Sequence, residues 1–591
     1  MNPFFGPGHR RAVHAEIRAA IAEITGSTPV YGFREMLDEG DALLNTDRIS
    51  GFRELHDRRE WILRLSSKKG MAWETDPVPE DCAGSVLFVL SIGFGNGSPF
   101  PQPTGAWQLV VNGRPAVRIR GVNHSQRWQG THCAFAFAAN RIESAPPHAS
   151  LYLSSAIRDE STAAFGPALL RVPADWLRKG TSAVIGVEPM AGAPSARWFQ
   201  LQPCTDMLQT TDIWAAADVL TGDGRPNLSG YHLFFGDIHT HSGQVGDENL
   251  NQGCGMGSRR DNYEYAREPG ALDFYSLTDH EWQIDPHRTD EYLALADTYN
   301  EDGRFVCLPG FEYTNPLYGH RNVYFRDSGG VVFNANADWG GPTLEPSRCN
   351  TPGDLWNALA RTGVPCMTVP HHPSATSHPL NLNFYEPRYD RLYEIYSSWG
   401  SGEYAGAFPR GVSDRFPSGD FQDALRRGQR YGAIASSDGH DGHPGAAQSP
   451  LTKHHHIFHF CGSGRAAALA SNLTRPAVFD ALYARRCYAT TGVPIVLDFT
   501  VCDAIMGSEL PALPRGRVPQ LRVACTGANG LDHIRIVRDG LIVESFPCFG
   551  QRTFHLEWED KAYNGEGAVS YYVCAVQVDR ECAWSSPIWL G

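Results

Sequence analysis

The chain has 591 residues, which at roughly 150 residues per domain is enough for about four domains. With 42% hydrophobic and 20% charged residues, its composition is that of a folded protein and excludes a wholly disordered chain. The net charge of −14 argues against nucleic acid or an anionic membrane surface as the main partner.

The predicted elements change in character along the chain. Residues 10–24 have apolar positions at helical spacing, and β-rich runs begin near residue 84, with Asn-Gly at 112–113 as a hairpin signal. From residue 231, short apolar runs alternate with helical stretches such as DEYLALADTYNE and PGDLWNALARTG, and β-rich runs return after about residue 500. We therefore predict a helical or mixed lead-in over 1–75, a β-sandwich-like domain over 76–225, an α/β domain over 226–500 and a C-terminal β-sandwich over 501–591.

Cysteine usage and apolar runs bear on the compartment. The 14 cysteines are scattered without a CxxC pair, which argues against a zinc ribbon, a thioredoxin-like motif or a disulfide scaffold. The opening sequence has no apolar segment of the secretory type, and the longest apolar run, near residues 86–94, is far short of the ~20 residues of a membrane helix. We expect a cytoplasmic protein with reduced thiols and no membrane partner.

Histidine is concentrated in one segment: 15 of the 23 histidines lie between His232 and His459. Histidine is the commonest metal ligand and titrates near neutral pH. Five predicted strands of this segment end in ionisable residues, namely YHLFFGDIH, ALDFYSLTDH, RFVCLPGFEYT, VPCMTVPHH and YGAIASSDGH. Because sites in parallel α/β folds gather at the carboxyl ends of strands, we expect these five ends to meet.

The first strand end supplies two histidines at a spacing that suits a metal. His239 and His241 are two residues apart, so both point to one face of an extended segment and can bind one ion. Asp247 and Glu248 follow in a glycine-rich loop that could bring a carboxylate inward. The alternative is a pair of surface histidines and a solvated acidic loop.

The other strand ends add more residues of the same types. A glutamate at the depth of Glu312 is costly to bury unless it is paired or bound to a metal. Each of these residues also fits a structural role when taken alone, but five such clusters at five strand ends are improbable by chance. The residues are Asp279, His280, Glu312, His320, His371, His372, Asp438 and His440.

In their order, GDIHTHS, LTDH, the buried glutamate, a later strand-end histidine and SDGH resemble the motifs of the PHP (polymerase and histidinol phosphatase) superfamily, and most closely its large, mostly uncharacterised multi-domain branch. The resemblance spans roughly residues 231–445. It implies an α/β fold, with a distorted (β/α)7 barrel over 226–500 between the β-sandwich-like domains and the short helical region. It also implies two or three divalent ions, Zn²⁺, Mn²⁺ or Fe²⁺, and phosphoesterase activity on mono- or diesters.

The resemblance also implies a ligand set around Glu312, which would bridge two ions. Adjacent strand residues face opposite ways, so only one of His371 and His372 should bind, and we favour His371. The first ion would be held by His239, His241 and Asp438, the second by His320 with His371 or His372, and the third by Asp247, His280 and His440.

Other residues are predicted to orient the ligands or contact the substrate. Asp237 and Asp279 are candidates to orient metal-bound histidines, beside a purely structural role. Arg321 follows His320 directly and is predicted to contact an anionic substrate. Arg259 and Arg260 are weaker candidates, since arginines on loops are usually solvated.

Proton transfer to the leaving group needs a general acid within hydrogen-bond reach. His443, or His372 where it is not a ligand, is predicted for this role. The run His454, His455 and His456 could suggest a further metal site, but its strand-like alternation favours an exposed strand face.

The predicted function is a metal-dependent phosphoesterase that acts on a small anionic ester without a nucleic-acid partner. One alternative is a metal-dependent hydrolase of an amide, lactone or sulfate ester, because the same ligands would serve it. A second is a non-enzymatic binding protein that keeps the ligands for stability. The β-rich domains could set specificity or build a homo-oligomer, because a sandwich fold does not determine function.

Overall fold

The computed structural model contains two compact units. The N-terminal unit comprises Arg10–Thr211 and Pro450–Phe460, and the C-terminal unit comprises Met1–His9, Asp212–Ser449 and Cys461–Gly591. The residues that the structure describes are 29–30, 33–37, 62–63, 71–78, 80, 85–95, 106–120, 141–143, 150–153, 164–189, 198–203, 227–246, 253–255, 257–267, 272–335, 348–372, 380–397, 399–407, 419–440, 444–445, 464–492, 495–527, 530–565, 567–578 and 581–591.

The described residues of the N-terminal unit form β-strands, with a 3-10 helix at Ala174–Trp176. The strands are β1 (Pro29–Val30), β2 (Phe33–Leu37), β3 (Ile62–Leu63), β4 (Met71–Pro77), β5 (Ser85–Gly95), β6 (Ala106–Val111), β7 (Arg114–Arg120), β8 (Arg141–Glu143), β9 (Ser150–Leu153), β10 (Ala164–Pro173), β11 (Ser182–Pro189) and β12 (Trp198–Pro203). One sheet has the order β3-β12-β5-β10-β9-β8 with β1 beside β5, and the other has the order β2-β4-β11-β6-β7.

The predicted Asn-Gly hairpin is confirmed. β6 and β7 pair antiparallel, and the two residues between them, Asn112 and Gly113, have φ of 51° and 74°. Positive φ at both central residues is the geometry that matches the twist of the flanking strands, and asparagine and glycine tolerate it best. The helix predicted over residues 10–24 lies outside the described residues.

The C-terminal unit contains the segments with the candidate site. Its strands are β13 (Asn227–Leu228), β14 (Tyr231–Asp237), β15 (Phe274–Tyr275), β16 (Val306–Cys307), β17 (Gly310–Tyr313), β18 (His320–Phe325), β19 (Cys366–His371), β20 (Leu392–Ser397), β21 (Gly400–Ser401), β22 (Gly432–Ala435), β23 (Arg465–Ala470), β24 (Cys487–Thr490), β25 (Val496–Val501), β26 (Ala504–Ile505), β27 (Glu509–Leu510), β28 (Gln520–Thr526), β29 (Leu531–Arg538), β30 (Leu541–Pro547), β31 (Thr553–Glu559), β32 (Val569–Gln577), β33 (Cys582–Ser585) and β34 (Ile588–Leu590).

The α-helices of the described residues are short. They are α1 (Arg259–Arg267), α2 (Thr289–Tyr299), α3 (Pro352–Thr362), α4 (Phe421–Arg426) and α5 (Arg475–Tyr483), with a 3-10 helix at Glu281–Gln283. The sequence of α3 has a capping signal at each end. Thr351 and Asp354 form a capping box at the first end, and Gly363 ends the helix with a φ of 70°. No helix in the described ranges is long and apolar enough to cross a membrane.

The sheets of the C-terminal unit extend across residue 500. The largest has the order β16-β15-β14-β23-β24-β33-β32-β29-β30, with β13, β27 and β34 beside this path. Smaller sheets have the orders β17-β18-β19, β21-β20-β22 and β26-β25-β28-β31. Buried apolar residues from both sides of residue 500, such as Phe235, Tyr488, Ile534 and Val573, form one core. The division into four domains stays a prediction.

The predicted α/β class with a (β/α)7 barrel is wrong. The described residues form mostly β-sheets with few helices, and their strands do not close into a barrel. β14, β15 and β16 are parallel, but β17, β18 and β19 are antiparallel, and β23 lies antiparallel to β14. The link between β17 and β18 is only residues 314–319, whereas a parallel crossover needs a dozen residues or more.

Candidate metal centre

The five predicted strand segments contain strands, and those strands bring the predicted side chains together. His239 lies just beyond the end of β14, where the chain continues past a bridge between Thr240 and Gly439. A second bridge joins His280 to Glu312 of β17. His320, the first residue of β18, is the register partner of His371, the last residue of β19. Together with the pairing of β14 with β15 and of β17 with β18, these contacts link all five segments to one another.

Glu312 lies at the centre of the cluster and is completely buried. Its two oxygens face different histidines. Oε2 lies near two imidazole nitrogens and Oε1 lies near three others. The distances are 3.2 Å to His239 Nε2 and 3.1 Å to His241 Nε2 from Oε2, and 3.1 Å to His280 Nδ1, 2.6 Å to His320 Nδ1 and 3.3 Å to His371 Nε2 from Oε1.

The charge state of Glu312 follows from these neighbours. Burial alone would raise the pKa of its carboxyl group, but the imidazole of His280, with others beside it, holds that pKa well below its usual range. Conversely, burial lowers the pKa of His371 to about 3, so that its ring is neutral at physiological pH. An ionised carboxylate and a neutral imidazole are the states that metal binding needs. Despite their burial, Glu394 raises the pKa of His239 and Glu312 raises that of His280, each to about 10, so these two rings would have to release a proton to bind an ion.

Asp438 is the second carboxylate of the cluster, and its backbone is left-handed, with a φ of 49°. Its Oδ1 lies 3.2 Å from His239 Nε2 and 3.1 Å from His241 Nε2. Its other oxygen, Oδ2, accepts a hydrogen bond from Trp399 Nε1 and lies 3.5 Å from His372 Nδ1. The two oxygens therefore face two parts of the cluster, as those of Glu312 do.

Two ligand atoms of the cluster lie close together without a hydrogen bond, as atoms that share a cation do. Glu312 Oε1 and His371 Nε2 are buried 3.3 Å apart, yet neither has a hydrogen-bond partner among the described residues. Lone pairs that face each other without a shared proton repel, and a cation between them removes that cost. Groups of ligand atoms within 4.8 Å of one another are His239–His241–Asp438, His239–Glu312–His371, His280–Glu312–His320, His320–His371–His372 and His241–Cys254–His280–His440.

His280 and His440 lie at one side of the cluster, where the sequence predicts a third ion with Asp247. Both rings stack on the ring of His241, with centroids 4.4 Å away in each case. The fourth ligand-type residue of this group is Cys254, which the sequence analysis did not single out. Asp247 lies outside the described residues.

His371 and His372 both reach the cluster. The expectation that only one would face inward rests on strand alternation, but β19 ends at His371, so His372 is no longer bound by the strand pleat. The His372 ring packs 4.6 Å from the ring of Trp399. Which of the two binds an ion stays a prediction.

Arg321 is not brought to the cluster. It follows His320 on β18, and successive strand residues point to opposite faces. The guanidinium group is buried, lies 3.5 Å from Asp390 Oδ1 and donates to the carbonyl oxygen of Phe384. These contacts place the Arg321 side chain in the core, and its predicted contact with a substrate stays a prediction.

We expect Arg321→Ala to lower the free energy of unfolding by about 3–5 kcal/mol, because it leaves the buried Asp390 without its charged partner. Denaturant titration of the purified variant measures this loss. Arg326→Ala is the matched control, since its pair with Asp480 is exposed and should contribute less than about 1 kcal/mol. Equal losses in the two variants would contradict the core role.

The predicted orienting residues hold the backbone of the cluster. Asp237 accepts hydrogen bonds from the backbone N–H groups of Ser437 and Gly445. Asp279 accepts from the backbone N–H and hydroxyl of Ser242 and pairs with Arg259 at 3.0 Å. Arg259 therefore has a structural role through its pair with Asp279, and Arg260 beside it is exposed.

Glu394 is an orienting residue that was not predicted from the sequence. Its Oε2 lies 2.9 Å from His239 Nδ1, on the opposite side of the ring from the nitrogen that faces Glu312 and Asp438. Glu394 is buried in β20, in the apolar run LYEIYS. A glutamate inside such a run was the signal for it, since a buried carboxylate needs a partner.

We expect Glu394→Ala to weaken divalent-metal affinity by about 10–100-fold, because the ring of His239 loses the acceptor that fixes its orientation. Competition against a chromogenic chelator measures that affinity. Glu394→Gln keeps an acceptor oxygen and should recover part of the loss. Wild-type affinity in Glu394→Ala would show that the contact does not orient a ligand.

Several predicted residues cannot be placed. Glu248, His443 and the run His454, His455 and His456 lie outside the described residues, as Asp247 does. Their predicted roles stay predictions.

Comparison with known proteins finds no matching family model. The chain is similar to uncharacterised proteins of Chlamydia pneumoniae, at 28% identity over 410 residues, and Chlamydia trachomatis, at 26% identity over 389 residues. These alignments cover 65% and 61% of this chain but only 60% and 57% of those proteins. A solved two-domain protein from Bacteroides vulgatus, described as containing a predicted PHP-like metal-dependent phosphoesterase, is similar at 13% identity and a TM-score of 0.31, over 61% of this chain and 97% of that one.

Proposed function

We propose that this chain is a metal-dependent hydrolase of phosphoric mono- or diesters, with two or three divalent ions held by the cluster around Glu312. The observation that carries the proposal is the division of the Glu312 oxygens between two sets of histidines. Oε2 faces His239 and His241, whereas Oε1 faces His280, His320 and His371. A carboxylate that serves two ligand sets at once is the arrangement that a bridge between two ions requires.

The side chains favour transition-type ions over Mg²⁺ or Ca²⁺. Imidazole nitrogens outnumber carboxylate oxygens in every group that contains both types of ligand atom. Imidazole suits zinc and iron, and mixed nitrogen and oxygen ligands also accept manganese. Bound divalent ions would activate a water molecule for attack and offset negative charge on a phosphoryl oxygen.

The residues of this chain would divide the remaining work. His239, His241 and Asp438 form one ligand group, and Glu312 and His371 belong to an adjacent group that shares His239. Glu394 fixes the ring of His239 from behind. The burial of these side chains keeps bulk water away from the ligands, which strengthens their electrostatic interactions.

The preference for an anionic ester follows from the positive charge that the bound ions would place at the cluster. With Arg321 buried in the core against Asp390, positive charge at the site would come mainly from the ions. A phosphoryl group can present two oxygens to such ions, whereas a neutral amide presents one. We therefore favour phosphate esters over amides and lactones.

The test is hydrolysis after defined metal loading. The full chain is stripped with a chelator, reloaded with Mn²⁺, Zn²⁺ or Fe²⁺, and assayed on nitrophenyl phosphate, bis-nitrophenyl phosphate, nitrophenyl sulfate and nitrophenyl acetate. We expect metal-dependent release of nitrophenol from a phosphate ester, and loss of that activity in Asp438→Asn. Metal-loaded protein that hydrolyses neither phosphate would overturn the proposal, and turnover of the sulfate or acetate alone would reassign the bond.

A further inference from the structure

Cys254 lies among three histidines of the cluster. It is 4% exposed, and its sulfur belongs to a group with nitrogens of His241, His280 and His440 in which all ligand atoms lie within 4.8 Å of one another. Imidazole nitrogen and thiolate sulfur are both ligands that Zn²⁺ takes in tetrahedral sites. Of the described cysteines, Cys254 is the one that belongs to such a group.

The backbone around Cys254 is built against the first histidine motif. The N–H of Gly253 donates to the carbonyl oxygen of Gly243, and the N–H of Gly255 donates to that of Ser242. A Cβ atom added to Gly255 would lie 2.0 Å from the carbonyl oxygen of His241, so a side chain has no room there. The glycine lets the loop approach the motif closely, which places the cysteine between two fixed points at the cluster.

The neighbouring ring of His241 has one nitrogen without a hydrogen-bond partner among the described residues. The side chain is fully buried, and this nitrogen is Nδ1. Its other nitrogen, Nε2, faces Glu312 and Asp438. A ring with one nitrogen in the ligand cluster and the other without a partner marks this side of the cluster as incomplete.

We propose that Cys254 is a metal ligand, whose sulfur binds the ion at the His280 and His440 side of the cluster. This rests on the proposed function, since it assumes that the cluster holds ions. On binding, the thiol loses its proton to solvent, and the sulfur–metal bond replaces a bond from the ion to water. The thiolate would supply the negative charge that the sequence analysis assigned to Asp247.

A thiolate ligand would affect which metal ion binds at this position. Thiolate is a soft ligand that binds Zn²⁺ and Co²⁺ better than Mn²⁺ or Mg²⁺. This position should therefore retain Zn²⁺ or Co²⁺ in competition with Mn²⁺, whereas the Glu312 and Asp438 side of the cluster should discriminate less. The cluster would then hold ions of two different affinities.

The competing state is a protonated thiol. Cys254 Sγ lies 2.9 Å from Gln283 Oε1, and the amide nitrogen of Gln283 donates to the carbonyl oxygens of Ser242 and Gln244. A thiol that keeps its proton donates to Gln283, and a thiol that binds an ion does not. The two states differ in whether sulfur is bonded to the metal, which spectroscopy measures directly.

The experiment titrates Co²⁺ into the chelator-stripped full chain and records the thiolate-to-cobalt charge-transfer band in the near ultraviolet. We expect the band in the wild type, its loss in Cys254→Ser, and its retention in Cys366→Ser, a control cysteine that is 6% exposed. Cys254→Asp should bind Co²⁺ without the band. X-ray absorption of the zinc-loaded wild type gives the same answer without a variant, as a sulfur neighbour in the first shell.

The outcomes separate this proposal from the one that it rests on. Wild type that binds Co²⁺ without the band, and Zn²⁺ without a sulfur neighbour, would overturn the role of Cys254 and leave the metal cluster intact. Wild type that binds neither Co²⁺ nor Zn²⁺ would overturn the metal cluster itself. A band that survives in Cys254→Ser would assign the sulfur to another cysteine.

Discussion

Glu312→Gln is expected to remove bound metal from the cluster and to lower phosphate-ester hydrolysis by about a thousandfold. The carboxylate contacts five imidazoles through two oxygens, and an amide offers one neutral oxygen and an N–H₂ group that repels cations. The variant would lose several kcal/mol of charge stabilisation in the transition state. Each tenfold change in rate corresponds to about 1.4 kcal/mol, which gives this magnitude. Elemental analysis and initial rates on the metal-loaded protein measure the two effects.

Glu403→Gln is the control for neutralising a buried glutamate. Glu403 accepts hydrogen bonds from Tyr572 and Trp584 and belongs to none of the ligand groups. The control variant can lose stability but should keep its metal content. Full metal content and wild-type rates in Glu312→Gln would contradict the central position of Glu312.

Removal of the ions is expected to lower the midpoint of thermal unfolding by on the order of 10 °C. A ligand that binds only the folded state at a thousand times its Kd adds about 4 kcal/mol of stability, and 1 kcal/mol shifts the midpoint of a domain by about 2–4 °C. Without cations, the carboxylates of Glu312 and Asp438 remain buried, and Glu312 Oε1 has no hydrogen-bond partner among the described residues. Scanning calorimetry before and after chelation measures the shift.

The matched comparison repeats the chelation on Asp438→Asn. That variant lacks one carboxylate of the cluster, so its midpoint should already be low and should change little when chelator is added. Returning Zn²⁺ to the stripped wild type should restore the original midpoint. A wild-type midpoint that does not respond to chelation would show that ions contribute nothing to the fold.

Local pattern in the sequence predicted the elements of the C-terminal unit well. The apolar runs that end at His239, Glu312 and His371 contain strands, and the capped stretch PGDLWNALARTG is α3. The prediction of a barrel failed because the direction in which strands pair depends on non-local contacts, which a local pattern does not show. The six residues between β17 and β18 were the local signal against a parallel crossover there.

The candidate site was predictable where one strand or one short motif carries the residues. Strand alternation also predicts that Arg321 and its neighbour His320 point to opposite faces of the strand. Cys254 and Glu394 reach the cluster through a loop packed on the first motif and through a separate strand. Cys254 is 13 residues from His241, and Glu394 is 155 residues from His239. The apolar run around Glu394 indicates a buried carboxylate, but a local pattern does not identify the partner of either residue.

The most direct test of a metal centre around Glu312 is anomalous diffraction from crystals of the zinc- or manganese-loaded protein. Data collected on both sides of the metal absorption edge locate each ion independently of the protein coordinates. We expect at least two anomalous peaks, with Glu312 Oε2 beside one and Oε1 beside another, and with Asp438 beside one of them. Peaks only at the protein surface, or none in crystals of protein that has bound metal in solution, would contradict this expectation.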